Sequence, residues 1–197
     1  MKKKSTGLLF ITPFILFFML FWLIPFIYGI VMSLSKYSLI MGNQGFVGFS
    51  NYIKILVGDS MYHNSFLLGL KNTVIFTACT TPFLVLGSLG LALLLVRLPD
   101  NCKGIFRTIY FASYSVSVTA VAAVFVWLMK GNGGFLNNLM MNIGIIKKAV
   151  PWMEQQPFVW VSLTVATVWW TIGYNMMLFV NALNEIDPQL YEASAID

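Results

Sequence analysis

The sequence predicts an all-α integral membrane protein with four transmembrane helices, and three observations carry that prediction. Of its 197 residues 58% are hydrophobic and only 10% are charged, against roughly 25% charged in soluble domains. The mean hydropathy of +0.80 leaves too little polar surface to keep a globule of this length dissolved. The apolar residues are also gathered into four runs, each long enough for the about 20 residues of helix that cross a bilayer core.

The runs cover approximately 8–34, 73–96, 108–129 and 158–183, and none contains Asp, Glu, Lys, Arg or His. A helix satisfies its own backbone hydrogen bonds in hydrocarbon, and the prolines inside the runs, Pro13, Pro25 and Pro82, are tolerated there when neighbours re-satisfy the freed carbonyls. Met1-Lys2-Lys3-Lys4 ahead of an apolar stretch imitates a secretory signal. The uncharged stretch from Ser5 to Ser35 is far longer than the about 7 to 15 residues of a signal core, so a retained first span is expected.

The connecting segments are long (35–72), short (97–107) and long (130–157). Lys2, Lys3, Lys4, Arg97, Lys103 and Arg107 crowd the N-terminal tail and the short loop, while Lys36, Lys54, Lys71, Lys130, Lys147 and Lys148 are spread over the long segments. The orientation rule weights short segments near span ends, which places both termini in the cytoplasm. The net charge of +5 forms no stripe of the kind that binds nucleic acid, and no nucleic-acid partner is expected.

Polar residues recur inside two runs at helical spacing. Thr164, Thr167, Thr171 and Asn175 lie at offsets of 3, 7 and 11, one narrow face of a helix, with Tyr174 beside them. Thr73, Thr77, Thr80 and Ser88 do much the same in the second run. Two readings stand: close interhelical packing through small hydroxyl residues, or a polar path for a neutral solute, with hydroxyls and an amide suiting a polyol. Trp127, Trp152, Trp160, Trp169 and Trp170 fall toward one end of the third and fourth runs, where they read as interfacial anchors, with sugar stacking as the alternative for one of them.

No enzyme chemistry is legible. Gly131-Asn132-Gly133-Gly134 lacks the Lys-Ser or Lys-Thr of a phosphate-binding loop and reads as a turn. His63 is the sole histidine and reads as an exposed loop residue; Cys79 and Cys102 have no metal or disulfide spacing. No cofactor, metal ligand or catalytic residue is expected. The absence of ionisable groups within the runs also argues against an ion-coupled carrier. A membrane-embedded enzyme would need such groups facing one another.

After the fourth run, Asp187-Pro188 is a good helix start, a capping carboxylate before a first-turn proline. Ala193, Ser194 and Ala195 would allow close approach to a partner, though a solvated juxtamembrane helix fits these features equally. The stretch from Ile186 through Leu190, Tyr191, Glu192, Ala193 and Ser194 to Asp197 resembles the opening of the EAA loop of ABC importer permeases. Phe46-Val47-Gly48-Phe49-Ser50-Asn51-Tyr52, Lys71-Asn72-Thr73, Phe106-Arg107-Thr108 and Gly134-Phe135-Leu136-Asn137 are similar to motifs of the binding-protein-dependent sugar importers, the maltose and glycerol-3-phosphate permease type. Ser194 departs from the second alanine of the signature, a small-for-small change.

The resemblance implies a six-helix type I permease domain, of which this chain is expected to be the first four helices and the start of the coupling helix over 188–197. It implies that Glu192, Ala193, Ser194 and Asp197 meet an ATPase, with Leu190 and Tyr191 anchoring that helix. It further implies a second permease subunit in a heterodimer, two ATPase subunits that carry out the hydrolysis, an extracytoplasmic solute-binding protein and a small carbohydrate or polyol as substrate. An amino-acid or other small-solute importer, and a non-transporting assembly fragment, are the alternatives.

Overall fold

The computed structural model describes residues 2–58, 60–187 and 189, with nothing stated for the side chains of residues 2–6, 8 and 9. The chain is helical apart from one hairpin, and it divides after Leu70 into two compact units.

The first unit begins with α1 (Lys2–Phe18) and α2 (Ile24–Ser33), joined without a break by a π-helical turn over Met19–Leu23. Pro25 has no amide to give the preceding turn, and the wider turn absorbs the mismatch, with the Ile24 amide donating five residues back to the Met19 carbonyl. Phe10–Ser33 is long and apolar enough to cross a membrane, matching the first predicted run. The loop expected after it is structured instead. β1 (Ser35–Ser38) and β2 (Gly42–Phe46) pair antiparallel, and α3 (Ser50–Leu56) follows.

Two residues of the Phe46–Tyr52 motif hold this unit together. The Asn51 Nδ2 group donates to the carbonyls of Ser33 (2.8 Å) and Ser35 (3.0 Å), and the Tyr52 hydroxyl pairs with the Ser33 Oγ at 2.7 Å. Carbonyls left without helical partners at the C-terminal end of α2 are thereby satisfied by side chains from the next helix. His63 also departs from the expectation of an exposed loop residue: it lies in the first turn of α4 (Met61–Arg97), half-buried, with Nδ1 2.9 Å from the Ile55 carbonyl.

The second unit, from Lys71 onward, contains the rest of α4, α5 (Asp100–Ala112), α6 (Val118–Leu128), α7 (Phe135–Asn142) and α8 (Phe158–Asn184). Its core is small. Ala92 and Leu95 of α4 pack with Met176 and Val180 of α8, flanked by Tyr110 and Leu183. Further along the same pair, the Ile172 side chain lies 3.2 Å from where a Cβ on Gly87 would stand, so the missing side chain there admits a close approach.

The third predicted span needs correction. The single helix expected over 108–129 is two helices bent by 88°. A 3-10 turn over Ser113–Ser115 ends α5, and Val116 and Ser117 are extended, with ψ of 136° at both. Ser113 contributes to the break, because a hydroxyl can hold the backbone in place of the helical ladder. The Ser113 hydroxyl donates to the Tyr110 carbonyl at 3.0 Å and reaches the Trp170 carbonyl of α8 at 3.4 Å.

The segment between α6 and α8 is folded around one side chain. Asn137 of α7 is fully buried. Its Nδ2 donates to the carbonyls of Gly131 (2.8 Å) and Val150 (2.9 Å), while its Oδ1 accepts from the Val150 amide (3.1 Å) and the Trp152 indole (2.9 Å). The glycine-rich stretch before α7 is a turn, as expected, with Gly133 at φ 73°.

Candidate functional site

The polar stripe of α8 can now be placed. Its buried positions are Ser162, Thr164, Gly173, Met176 and Val180. At about 100° per residue, Ser162, Gly173, Met176 and Val180 lie on one side, and Thr167, Thr171 and Asn175 lie roughly opposite them. The stripe therefore turns away from the core of its own unit. Only Thr164 meets another long helix, its hydroxyl lying 3.3 Å from that of Thr80 on α4. Thr171 donates to the Thr167 carbonyl (2.7 Å) and Asn175 to the Thr171 carbonyl (3.0 Å), so both are held by their own helix. In the second run Thr80 and Ser88 are buried whereas Thr73 and Thr77 are exposed.

Tyr174 joins a different group, which sequence reasoning did not assemble. Its ring stacks on that of Tyr114 with centroids 4.7 Å apart and planes 20° from parallel, and Tyr114 stacks in turn on Trp170 at 5.8 Å. The Trp170 indole donates to the Val116 carbonyl at 3.0 Å, inside the extended stretch between α5 and α6. Three aromatic rings thus line up where a helix is broken, and the break is held by an indole from α8. The one signal available in sequence was Ser113-Tyr114-Ser115-Val116-Ser117, three serines alternating through an apolar run.

The approach of α5 to α8 depends on Gly173, since a Cβ there would run into the Tyr110 carbonyl. Beside the break lies an open groove of about 510 Å³ lined by Arg107, Thr108, Phe111, Ala112, Ser115 and Met177. The Arg107 Nε is buried without a hydrogen-bond partner, alone in this among the buried side-chain polar atoms of the described residues. A second groove, about 660 Å³, is almost wholly apolar and runs past Cys79, Phe83, Thr164, Val168, Trp169 and Ile172. Its chemistry suits a helix or an acyl chain.

Leu190, Tyr191, Glu192, Ala193, Ser194 and Asp197, together with Pro188, lie outside the described residues. Of the start expected for their helix, the Asp187 carboxylate is in place and accepts from the Gln189 amide at 3.0 Å. The tryptophans divide. Trp127 and Trp169 remain exposed, at 62% and 48%, whereas the indoles of Trp152 and Trp170 are committed to Asn137 and Val116. Among the described residues no group of three or more His, Cys, Asp or Glu is placed to hold a metal.

The chain as a whole is similar to known proteins in sequence and in fold. Over 197 residues the chain is 29% identical to the probable ABC transporter permease protein YurN of Bacillus subtilis, covering 100% of this chain and 65% of that protein. It is 31% identical to the lactose transport system permease protein LacF of Rhizobium radiobacter over 97% of this chain and 61% of that one. The whole chain superposes, with a TM-score of 0.78 and 21% identity, on 63% of a chain from a bacterial ABC transporter that imports the acidic polysaccharide alginate. A bacterial alginate ABC transporter in complex with a pentasaccharide-bound periplasmic protein gives 0.75 at 22% identity, over 100% of this chain and 62% of that one. By sequence and by fold the chain is a relative of the ABC transporter permeases. No family model matches it. This permease relative spans a little under two thirds of the length of the curated proteins it matches, and its apolar helices make it a multi-pass membrane protein.

Proposed function

We propose that this chain is a permease subunit of an ATP-driven, binding-protein-dependent ABC importer, contributing part of the path for a carbohydrate or related polyol. The observation that carries the reading is the broken helix at 113–117, with Tyr114 stacked between Trp170 and Tyr174. Irregular backbone at membrane depth is tolerated where it lines a cavity or is covered by protein. Sugar rings present apolar C–H faces that lie well on aromatic rings, while their hydroxyls need partners. The break and the Thr167, Thr171 and Asn175 face supply both. That face needs a polar environment or a second helix over it, and a solute path lined by a partner permease subunit provides one. The relatives named for lactose and alginate support a sugar over an amino acid.

In this reading the N-terminus is cytoplasmic and ATP is hydrolysed in two separate subunits. An extracytoplasmic binding protein delivers the solute, and Glu192, Ala193, Ser194 and Asp197 transmit the ATPase movement through a helix anchored by Leu190 and Tyr191. Tyr174→Ala in the assembled importer lowers solute uptake about two- to tenfold with the complex still formed, because an aromatic stack of this kind contributes about 0.5–1.5 kcal/mol and every 1.4 kcal/mol is tenfold. Tyr174→Phe keeps the ring and stays near wild type, and Asn175→Leu impairs uptake without disturbing assembly. Wild-type uptake by both Tyr174→Ala and Asn175→Leu rejects the path. For the coupling segment, Glu192→Lys leaves ATP hydrolysis running without transport; transport that stays coupled to hydrolysis removes the role.

A further inference from the structure

The hairpin of the first unit ends in three consecutive large apolar residues with almost nothing against them: Leu39 is 98% exposed, Ile40 92% and Met41 76%. We propose that this tip inserts into the headgroup and acyl boundary of the membrane leaflet from which α2 emerges, anchoring the end of the first span to lipid. The inference rests on Phe10–Ser33 being a span, which its length and composition support, and is independent of the transported solute.

Direction is the first argument. Strand β1 starts two residues after α2 ends, and the Ser35 hydroxyl donates back to the Val31 carbonyl at 2.8 Å. The Tyr37 phenol meets the Tyr28 phenol. Tyr28 lies five residues before the end of α2, about 7.5 Å along its axis at 1.5 Å per residue. Helical side chains lean toward the N-terminus, so the Tyr28 hydroxyl sits deeper still. The hairpin therefore turns back along the helix, and its tip, two to four residues beyond Tyr37, continues toward the bilayer by about 7–13 Å. Interfacial elements bury their apolar faces about 5–10 Å deep.

Backbone chemistry is the second. Amides bonded within the turn lower its cost of leaving water for the boundary region. The Ser38 hydroxyl accepts from the amides of Ile40 (3.3 Å) and Met41 (3.5 Å), and the Asn43 side chain accepts from the Gly45 amide at 2.9 Å. Side chains of the hairpin itself thus take up amides around the apolar tip.

The surroundings favour lipid as the occupant. The first span has no buried residue in its most apolar window, so the hairpin continues a surface that is itself suited to lipid. Phe46 and Phe49, 75% and 72% exposed, stand near it as ring anchors of the interfacial kind. Lys36 and Lys54 are exposed, and the sequence from Met1 to Gly58 contains no Asp or Glu, which complements anionic headgroups.

Both native cysteines are free and can be replaced by serine. In that background Ile40→Cys is labelled with a nitroxide, and the chain is reconstituted into phosphatidylcholine vesicles containing phosphatidylglycerol. Collisions with oxygen are compared with collisions with a water-soluble nickel chelate. The expected result is an oxygen-to-nickel ratio several-fold higher at Ile40 than at Gln44→Cys, on the other strand and nearer the helix end. A ratio at Ile40 as low as that of a freely water-exposed label places the tip in water and overturns the proposal. An immobilised label shielded from both reagents means that protein covers the tip, and overturns it too.

Discussion

Gly173→Ala is expected to separate α5 from α8, because of all the glycines its added Cβ would come nearest to other main chain. The new Cβ would overlap the carbonyl group of Tyr110. Backbone cannot step aside as a flexible side-chain end can. Overpacking typically costs about 1–3 kcal/mol, and an overlap with main chain belongs at or above the top of that range. The loss also reaches the site, because Tyr110 and Ser113 lie in the same turn that delivers Tyr114 to Trp170 and Tyr174. The thermal midpoint of the detergent-solubilised protein is expected to fall, and under the proposed function uptake falls with it. The comparison is Gly90→Ala on α4, where nothing lies within 4 Å of the added carbon. That change is expected to be neutral or to stabilise by about 0.5–1 kcal/mol through helix propensity. Equal melting of the two variants would show that the close approach does not hold the helices.

The second large effect is expected at Asn137. Its side chain makes four hydrogen bonds of 2.8–3.1 Å from a position with no solvent access. Asn137→Leu leaves the Val150 amide and the Trp152 indole without acceptors, and the Gly131 and Val150 carbonyls without this donor. Each buried group so stranded costs about 1–3 kcal/mol. The 130–157 segment is expected to open locally, with faster hydrogen exchange at Val150 and early proteolysis between Lys130 and Pro157. Asn137→Asp is the finer test. It keeps both accepted bonds but sets an acceptor against the Gly131 and Val150 carbonyls, so it loosens the segment too. Wild-type exchange and cleavage in Asn137→Leu would show that the segment is held from elsewhere.

Much of the architecture was legible because hydropathy is local and additive. Run 158–183 coincides with α8 to within one residue, run 8–34 falls, but for its last residue, inside a helical stretch that begins at Lys2, and the 73–96 run is the inner part of a longer helix. Where sequence reasoning failed, the cause was a hydrogen bond to something distant. A window average over 108–129 is blind to the Ser113 hydroxyl and the Trp170 indole, yet these hold the break. The 35–72 segment is polar enough to read as a loop, and its hairpin and α3 exist because Asn51 and Tyr52 reach back sixteen to nineteen residues to Ser33 and Ser35. In the sequence those two residues mark a motif, and the task they perform is visible only in the fold.

The candidate site divides in the same way. Spacing alone put Thr164, Thr167, Thr171 and Asn175 on one face of α8, since the period of a helix is a property of its own backbone. Which way the face points could not be read there. It depends on which side of α8 carries Gly173, Met176 and Val180 against α4 and α5, and Thr164 proves to be turned to Thr80 while the others are not. The stack of Tyr114 on Tyr174 joins residues sixty positions apart. Composition and period, summed over near neighbours, decided that this chain lies in a membrane as helices. The break, the close helix contact and the aromatic stack were decided only by tertiary structure, because each needs a partner that chain order does not place beside it.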